Sequence, residues 1–125
     1  MVIRCGGRGC QQFRRESIMS LYLEVRTTTA NEEDARRIAR GLVERRLAAC
    51  VQISGPIEST YRWQEKIETS REWLCTAKTR TALWPQIEAA IRELHPYEVP
   101  EIIGVPINAG SKAYLEWIES ETREK

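Results

Sequence analysis

The chain is short of the residues on which most catalytic and metal sites depend. Its 125 residues include one histidine, His95, and one aspartate, Asp34. A Ser-His-Asp triad would need both of them, although they lie far apart in the sequence. One histidine cannot form a multi-histidine metal site within a single chain, and one aspartate cannot form an Asp-rich calcium loop. This inventory predicts a protein that is not an enzyme.

A strong charge of either sign is also absent. The chain carries 19 basic and 18 acidic residues, a net charge of +1. Residues 1–20 contribute +3 to this sum, and the rest of the chain contributes −2. A nearly neutral domain is poorly suited to bind nucleic acid or an anionic membrane through bulk charge. We therefore expect neither nucleic acid nor membrane as a partner.

Long apolar runs are missing as well. No stretch approaches the roughly 20 apolar residues that a membrane span requires, and no signal-peptide pattern is present. Cys50 and Cys75 lie within short apolar runs, which is typical of buried thiols in a reducing compartment. These features together predict a cytoplasmic protein.

Residues 1–19 differ in composition from the rest of the chain. They have no apolar periodicity, and they contain three glycines together with Cys5 and Cys10. The two cysteines could form half of a metal site. No second cysteine pair or histidine follows at ligand spacing, which favours incidental thiols. We predict a disordered or extraneous N-terminal extension over 1–19 and a single domain over 20–125.

What is present is a clear succession of apolar periodicities. Alternation with a period of two indicates strands, and recurrence at three and four residues indicates helices. Asn31 is expected to cap the first helix and Thr81 the second, while Gly55-Pro56 is expected to bend or bulge a strand. The predicted elements are a strand at 21–26, a helix from 31 to about 47, a hairpin with strands at 49–63 and 67–79, a helix from 81 to 95, a strand at 102–107 and a short helix around 114–118.

This βαββαβ order with a C-terminal helix belongs to the α+β class. Right-handed crossovers place the four strands in one antiparallel sheet with two helices on one face, which is the ferredoxin-like sandwich. Strand 67–79 would span about 40 Å at 3.3 Å per residue. A domain of this size has a radius of gyration of only about 13 Å, so the hairpin should project.

The projecting hairpin favours a homo-oligomer. It carries Tyr61, Trp63 and Trp73, which are costly to leave in water, and its strand edges invite pairing. We expect each hairpin to lie on a neighbouring copy of the chain. The alternative is a bent hairpin that folds back onto its own sheet.

Four segments resemble one known family. They are ERRLAACVQI, STYRWQEKIETSREWLCTAKT, LHPYEVPEIIGVPI and YLEWI, and the resemblance runs from about residue 21 to 120. The chain resembles the CutA divalent-cation-tolerance proteins. The resemblance implies a ferredoxin-like fold, a homotrimer similar to the nitrogen-regulatory PII proteins, and a role in tolerance of copper and other divalent metals. It implies no settled enzymatic activity.

The chain departs from the family pattern at two places. Members often have W-x-G-K at the hairpin tip, whereas this chain has Glu65 at the glycine position. The copper site proposed for some members corresponds here to Thr27, Leu94 and His95, of which only His95 is a copper ligand by residue type. Of the copper ligands that the resemblance implies, this chain therefore retains only His95.

The remaining candidate site residues form two sets, one for a metal site and one for a cleft between subunits. A weak site for copper or another divalent cation would use His95, Glu98 and Glu101, and the alternative for His95 is a capping or packing role at the end of the second helix. An intersubunit cleft or interface would use Thr27, Tyr61, Trp63, Lys78 and Tyr97. By analogy with PII-like trimers, Lys78 and Arg62 would suit a small anionic ligand.

The sequence thus predicts a trimeric, CutA-like protein of copper tolerance without catalytic machinery. A PII-like trimer that binds a small signalling ligand is one alternative. An acylphosphatase-like enzyme fits less well, because Arg26 precedes Thr27–Thr29 without a glycine-rich phosphate loop. An RNA-binding sandwich would need several exposed aromatic residues on its central strands, and Tyr22 alone is too little.

Overall fold

The computed structural model describes residues 20–124 and has an α+β fold. The elements are β1 (Tyr22–Thr29), α1 (Glu32–Glu44), β2 (Cys50–Trp63), β3 (Lys66–Arg80), α2 (Trp84–Leu94), β4 (Ile103–Ile107) and α3 (Lys112–Glu121). Strands β2 and β4 form the edges of one four-stranded sheet of order β2-β3-β1-β4, in which all neighbours are antiparallel. The predicted βαββαβ order is confirmed. The predicted extension at 1–19 lies outside the described residues.

The core lies between one face of the sheet and two helices. Successive strand residues point to opposite faces, so that Leu23 and Val25 of β1 share a face with Ala77 of β3. These side chains are buried against the apolar faces of α1 and α2. The helical part of this cluster comprises Ile38, Leu42, Ile87, Ala90 and Ile91.

The first helix begins where the sequence predicts. Asn31 Oδ1 accepts a hydrogen bond from the backbone N–H of Asp34 at 2.8 Å, which satisfies one free donor of the first turn. Asp34 also pairs with Arg37 at 2.6 Å, in agreement with a role at the helix start. The helix ends at Glu44 instead of near residue 47, because Arg46 turns into the left-handed region with φ 58°.

Two boundary predictions need correction. The predicted Thr81 helix cap is wrong, because its hydroxyl donates to the carbonyl of Ser20 at 2.8 Å and the residue begins a 3₁₀ turn. Helix α2 then begins at Trp84, with Pro85 in its first turn. Strand β1 continues through Thr29 instead of ending near Arg26, since threonine is β-branched and suits a strand.

The hairpin of β2 and β3 extends past the rest of the sheet. Strand β1 pairs with β3 only as far as Trp73, so that, among the described residues, the segments 57–63 and 66–72 pair only with each other. Tyr61 and Trp63 on this part are 42% and 49% exposed. The predicted projection of the hairpin is confirmed for the single chain.

Two irregularities shape the hairpin. A bulge lies between Ser54 and Ile57, where three steps along β2 oppose two along β3. At Gly55 in this bulge φ is 153°, and a Cβ atom would lie 2.9 Å from Cδ1 of Trp73. The tip is a two-residue turn in which Gln64 and Glu65 have φ values of 52° and 67°. Both values lie in the left-handed region that glycine tolerates best, as a type I′ turn requires.

Helix α3 contacts the face of the sheet opposite the core. Tyr114 Oη lies 3.7 Å from Cys50 Sγ, and Glu119 accepts a hydrogen bond from the Tyr22 hydroxyl at 3.0 Å. Ile118 anchors the helix and is fully buried. Within residues 20–124, no helix is both long and apolar enough to cross a membrane.

Candidate functional site

A groove of about 670 Å³ lies between the hairpin and the loop that joins α2 to β4. Its volume falls within the range of roughly 300–1,000 Å³ that is usual for small-molecule sites. Three segments supply its walls: the end of β1, the two hairpin strands and the 97–101 loop. The lining residues are Thr28, Ser59, Thr60, Tyr61, Trp63, Glu72, Tyr97, Glu98, Val99 and Glu101.

His95 fixes the loop to the sheet. Its Nε2 lies 2.7 Å from the carbonyl oxygen of Thr28, and its Nδ1 accepts the backbone N–H of Tyr97 at 3.1 Å. These contacts assign a neutral ring with the proton on Nε2. The backbone N–H of His95 also caps α2 by donating to Ile91 at 2.9 Å. The capping and packing role is thus what the geometry supports for this histidine.

Tyr97 connects the loop to the hairpin. Its ring packs against His95 with centroids 4.6 Å apart, and its hydroxyl donates to Glu72 Oε2 at 3.1 Å. Burial, together with this hydrogen bond and the negative charge of Glu72, raises the pKa of Tyr97 to about 12. The phenol therefore stays protonated at neutral pH and remains a hydrogen-bond donor.

Five of the eight predicted site residues line the groove. They are Tyr61, Trp63, Tyr97, Glu98 and Glu101. His95 lies behind Tyr97, with 7% of its surface exposed, and does not line the groove.

Thr27 and Lys78 lie elsewhere. Thr27 is buried on the helix-facing side of β1, opposite Cys75, and its hydroxyl has no hydrogen-bond partner among residues 20–124. Lys78 binds the side chain of Gln52 at 2.7 Å and lies 3.9 Å from Glu24. Lys78 therefore does not line this groove, and its predicted place in a cleft between subunits stays a prediction.

The residues do not fit a copper ion at the expected position. Both ring nitrogens of His95 already have partners, and the threonine hydroxyl at position 27 is a poor copper ligand. In the part of the chain that the structure describes, no three His, Cys, Asp or Glu side chains converge as a metal site requires. The predicted set of His95, Glu98 and Glu101 is not assembled around one point.

Glu72 is the titratable groove residue that sequence reasoning missed. It lies in a strand of alternating polar residues and is only 8% exposed. Nothing in its local pattern distinguishes it from Glu68, which is exposed. Its burial depends on Tyr97, which is distant in sequence, so a strand pattern alone could not have identified it.

The chain matches the sequence model of one family, described as CutA1 divalent ion tolerance protein, over residues 23–121. The chain belongs to the CutA1 family. The match includes the hairpin, the HPYEVPE loop and all of α3.

Individual CutA relatives agree with this result. The chain is 45% identical over 95 residues to the divalent-cation tolerance protein CutA of Thermus thermophilus, covering 76% of this chain and 92% of that protein. It is 44% identical over 95 residues to mouse protein CutA. That alignment covers 76% of this chain but only 54% of the mouse protein. The chain thus spans nearly the whole bacterial relative and about half of the mammalian one.

Solved CutA1 structures have the same fold. The structure of the Thermus thermophilus protein superposes with a TM-score of 0.80 at 43% identity, covering 82% of this chain and all of that one. The structure of CutA1 from Oryza sativa superposes with a TM-score of 0.82 at 39% identity, covering 85% of this chain and 97% of that one. These CutA1 structures share the arrangement of the described domain.

Proposed function

We propose that this CutA1-family chain is a non-catalytic, homotrimeric protein of divalent-cation tolerance, and that copper is the cation to test first. The family match over residues 23–121 carries the proposal. The relative from Thermus thermophilus is named for divalent-cation tolerance, and the proposal extends that role to this chain. The groove described above is the surface through which we expect it to recognise a ligand.

The proposed trimer rests on the hairpin. In the described part of the chain its outer half has no neighbouring strand, and it presents Tyr61, Trp63 and Ile67 to solvent. Exposed strand edges and aromatic side chains of this kind are stabilised by pairing with another chain. A closed ring of three copies, similar to that of PII proteins, would cover all of these surfaces.

The proposed location is the cytoplasm. Cys50 and Cys75 are both free thiols, which suits a reducing compartment. Relatives from plants are named chloroplastic, so fractionation of the source cells is the direct measurement. Recovery in an organelle or the periplasm would overturn this part of the proposal.

A second candidate function is ligand-dependent signalling by a PII-like trimer. The specific observation in its favour is the 670 Å³ groove, which is large enough for a small organic ligand. An acylphosphatase-like activity is separable from both candidates by a turnover assay with an acyl phosphate. We expect no turnover above the uncatalysed rate.

The tolerance role can be tested by growth. A bacterium whose own CutA1-family gene has been deleted would be grown in graded copper and zinc salts, with and without this chain. The expected result is growth at higher metal concentrations when the chain is present. A potassium chloride series of matched ionic strength serves as the control. Equal growth curves in every metal series would contradict the function.

The assembly is tested on the same purified protein. Light scattering during gel filtration should give about three times the chain mass of 14.5 kDa. Trp63→Glu places a charge on the exposed hairpin and should weaken association, whereas Glu58→Gln on the other face of β2 should not. A mass of one chain at micromolar concentration would overturn the trimer.

A further inference from the structure

Helix α3 has little apolar contact with the rest of the domain. Of its ten residues, Ile118 alone is fully buried, while Tyr114 and Trp117 are each 40% exposed. An isolated helix shorter than about 12 residues is unstable in water, so α3 depends on contacts with the domain. A single buried anchor supplies only part of this support, and polar contacts supply the rest.

The segment at the end of α3, residues 120–123, makes these polar contacts with the turn that follows α1. The backbone N–H of Arg123 donates to the carbonyl of Arg46 at 2.8 Å. The Arg123 guanidinium donates to the carbonyl of Arg45 through Nε at 3.1 Å and through Nη2 at 3.0 Å. In return, Arg46 Nη2 donates to the carbonyl of Ser120 at 2.9 Å. The two segments thus hold each other by reciprocal hydrogen bonds.

The end of β3 adds a third attachment. Arg80 Nε donates to Thr122 Oγ1 at 3.0 Å, and Arg80 Nη2 donates to the carbonyl of Arg123. Thr122 is only 5% exposed, and its hydroxyl donates to the carbonyl of Ile118 at 2.9 Å. The segment is therefore joined to a strand end as well as to the α1 turn. We call these contacting residues the α3 clasp: residues 120–123, Arg45, Arg46 and Arg80.

The α3 clasp joins elements on the two faces of the sheet. Helix α1 packs on the core face, whereas α3 contacts the opposite face. The clasp lies at the Arg80 end of β3, and the hairpin tip lies at the other end of this strand, next to Lys66. Its hydrogen bonds form within one chain, so they do not depend on the proposed trimer or on the hairpin surface that the trimer would cover.

We propose that α3 is a flap that the α3 clasp holds closed, and that it opens from the sheet as one unit while the core stays folded. An element with few buried apolar contacts and solvent-exposed hydrogen bonds is the kind that opens locally. Opening separates Tyr114 from Cys50 and Glu119 from its partner on β1, and it uncovers this face of the sheet. The flap goes beyond the proposed tolerance function and requires neither a metal nor a ligand.

Amide hydrogen exchange of the full chain, measured by peptide mass spectrometry, tests the flap. In the wild type, the amides of α3 should exchange together and faster than those of α1. Arg123→Ala removes the guanidinium contacts with Arg45 and should speed exchange across all of α3 about tenfold, without a change in α1. Arg80→Ala should act in the same direction. Iodoacetamide should also modify Cys50 faster in Arg123→Ala than in the wild type.

A matched control separates the clasp from the general loss of an arginine. Arg36 is exposed and pairs with Glu32 on α1, so Arg36→Ala should leave exchange of α3 within about twofold of wild type. Equal acceleration by Arg36→Ala and Arg123→Ala would overturn the proposal. Acceleration confined to the last turn of α3, or wild-type exchange of α3 in step with α1, would also overturn it. All proteins are compared at a concentration at which light scattering gives them the same mass, so that a failure of the proposed trimer is recognised separately.

Discussion

The Nε2 atom of His95 lies 2.7 Å from the carbonyl oxygen of Thr28, at the point where β1 continues beyond β4. Strand β4 pairs with β1 only from Tyr22 to Arg26, so within residues 20–124 the last residues of β1 have no strand on that side. The imidazole bonds to a backbone acceptor there and holds the groove loop against the sheet. The histidine acts as a structural connection between a strand end and a loop.

Replacement of His95 should therefore affect stability more than metal binding. His95→Ala leaves the Thr28 carbonyl without its partner and should lower the free energy of unfolding by about 2 kcal/mol. Urea denaturation measures this loss, and His95→Gln should lose less because it keeps a donor. Calorimetry with copper and zinc should give equal affinities for wild type and His95→Ala. Weaker copper binding with unchanged stability would restore His95 to a metal site.

Thr27 and Thr79 are both buried, but their hydroxyl groups differ in hydrogen bonding. The Thr27 hydroxyl has no partner in the described residues, whereas the Thr79 hydroxyl donates to the carbonyl of Leu47 at 2.6 Å. Thr27→Val should raise the free energy of unfolding by about 1 kcal/mol, and Thr79→Val should lower it by about the same amount. Chemical denaturation of both variants is the measurement. A decrease for Thr27→Val would mean that its hydroxyl has a partner.

The hairpin turn carries local strain at Glu65. Its φ of 67° is left-handed, which costs a non-glycine residue about 1 kcal/mol. Glu65→Gly should therefore raise the melting temperature. Glu68→Gly on extended β3 is the control, and it should lower the melting temperature because glycine weakens a strand. A lower melting temperature for Glu65→Gly would show that the glutamate is stabilised by another contact.

Alkaline pH should reveal the Tyr97–Glu72 contact. The pKa of Tyr97 is raised from 10.0 to about 12 in the folded chain, chiefly by burial and then by Glu72. Its contribution to stability is complete below pH 10 and is lost as pH rises toward 12, because the unfolded chain releases the phenolic proton first. Urea denaturation across this range should show a steeper decline for wild type than for Tyr97→Phe. Parallel curves would exclude the contact.

Cys75 should be chemically silent in the folded protein. Burial raises the pKa of its thiol to about 11 and removes it from solvent. Iodoacetamide treatment at neutral pH followed by peptide mass spectrometry should leave Cys75 unmodified, since the reactive thiolate is scarce and inaccessible. The same treatment in denaturant should modify it. Rapid labelling of the native protein would show that this part of the core opens.

Local chemistry explains what could be predicted from the sequence. The Asn31 cap and the Gln64–Glu65 turn depend on residues within a few positions, and both were located correctly. The Thr81 cap failed because its hydroxyl binds the carbonyl of Ser20, which is 61 positions away. Contacts between residues so distant in sequence cannot be predicted from local helix propensity.

The groove also combines residues that could be identified from their type with contacts between residues distant in sequence. Tyr61, Trp63 and Tyr97 were predicted for a cleft between subunits, and Glu98 and Glu101 for a metal site, and all five line the groove. Glu72 on β3, which accepts a hydrogen bond from Tyr97, was missed because its burial requires the 97–101 loop to fold over it. The use of both imidazole nitrogens in hydrogen bonds likewise depends on the meeting of a loop with a strand end.

The bulge between Ser54 and Ile57 shifts the alternation along β2 by one position, and Tyr61 and Trp63 beyond it point toward the groove. Cross-strand partners share a face, so deletion of one residue at this point would give a regular ladder in which Ile57 still opposes Glu72 and both rings keep their side. What the deletion would remove is the local bend and extra twist that a bulge gives to its strand. The direction in which the hairpin leaves the sheet is thus encoded in one additional residue of β2.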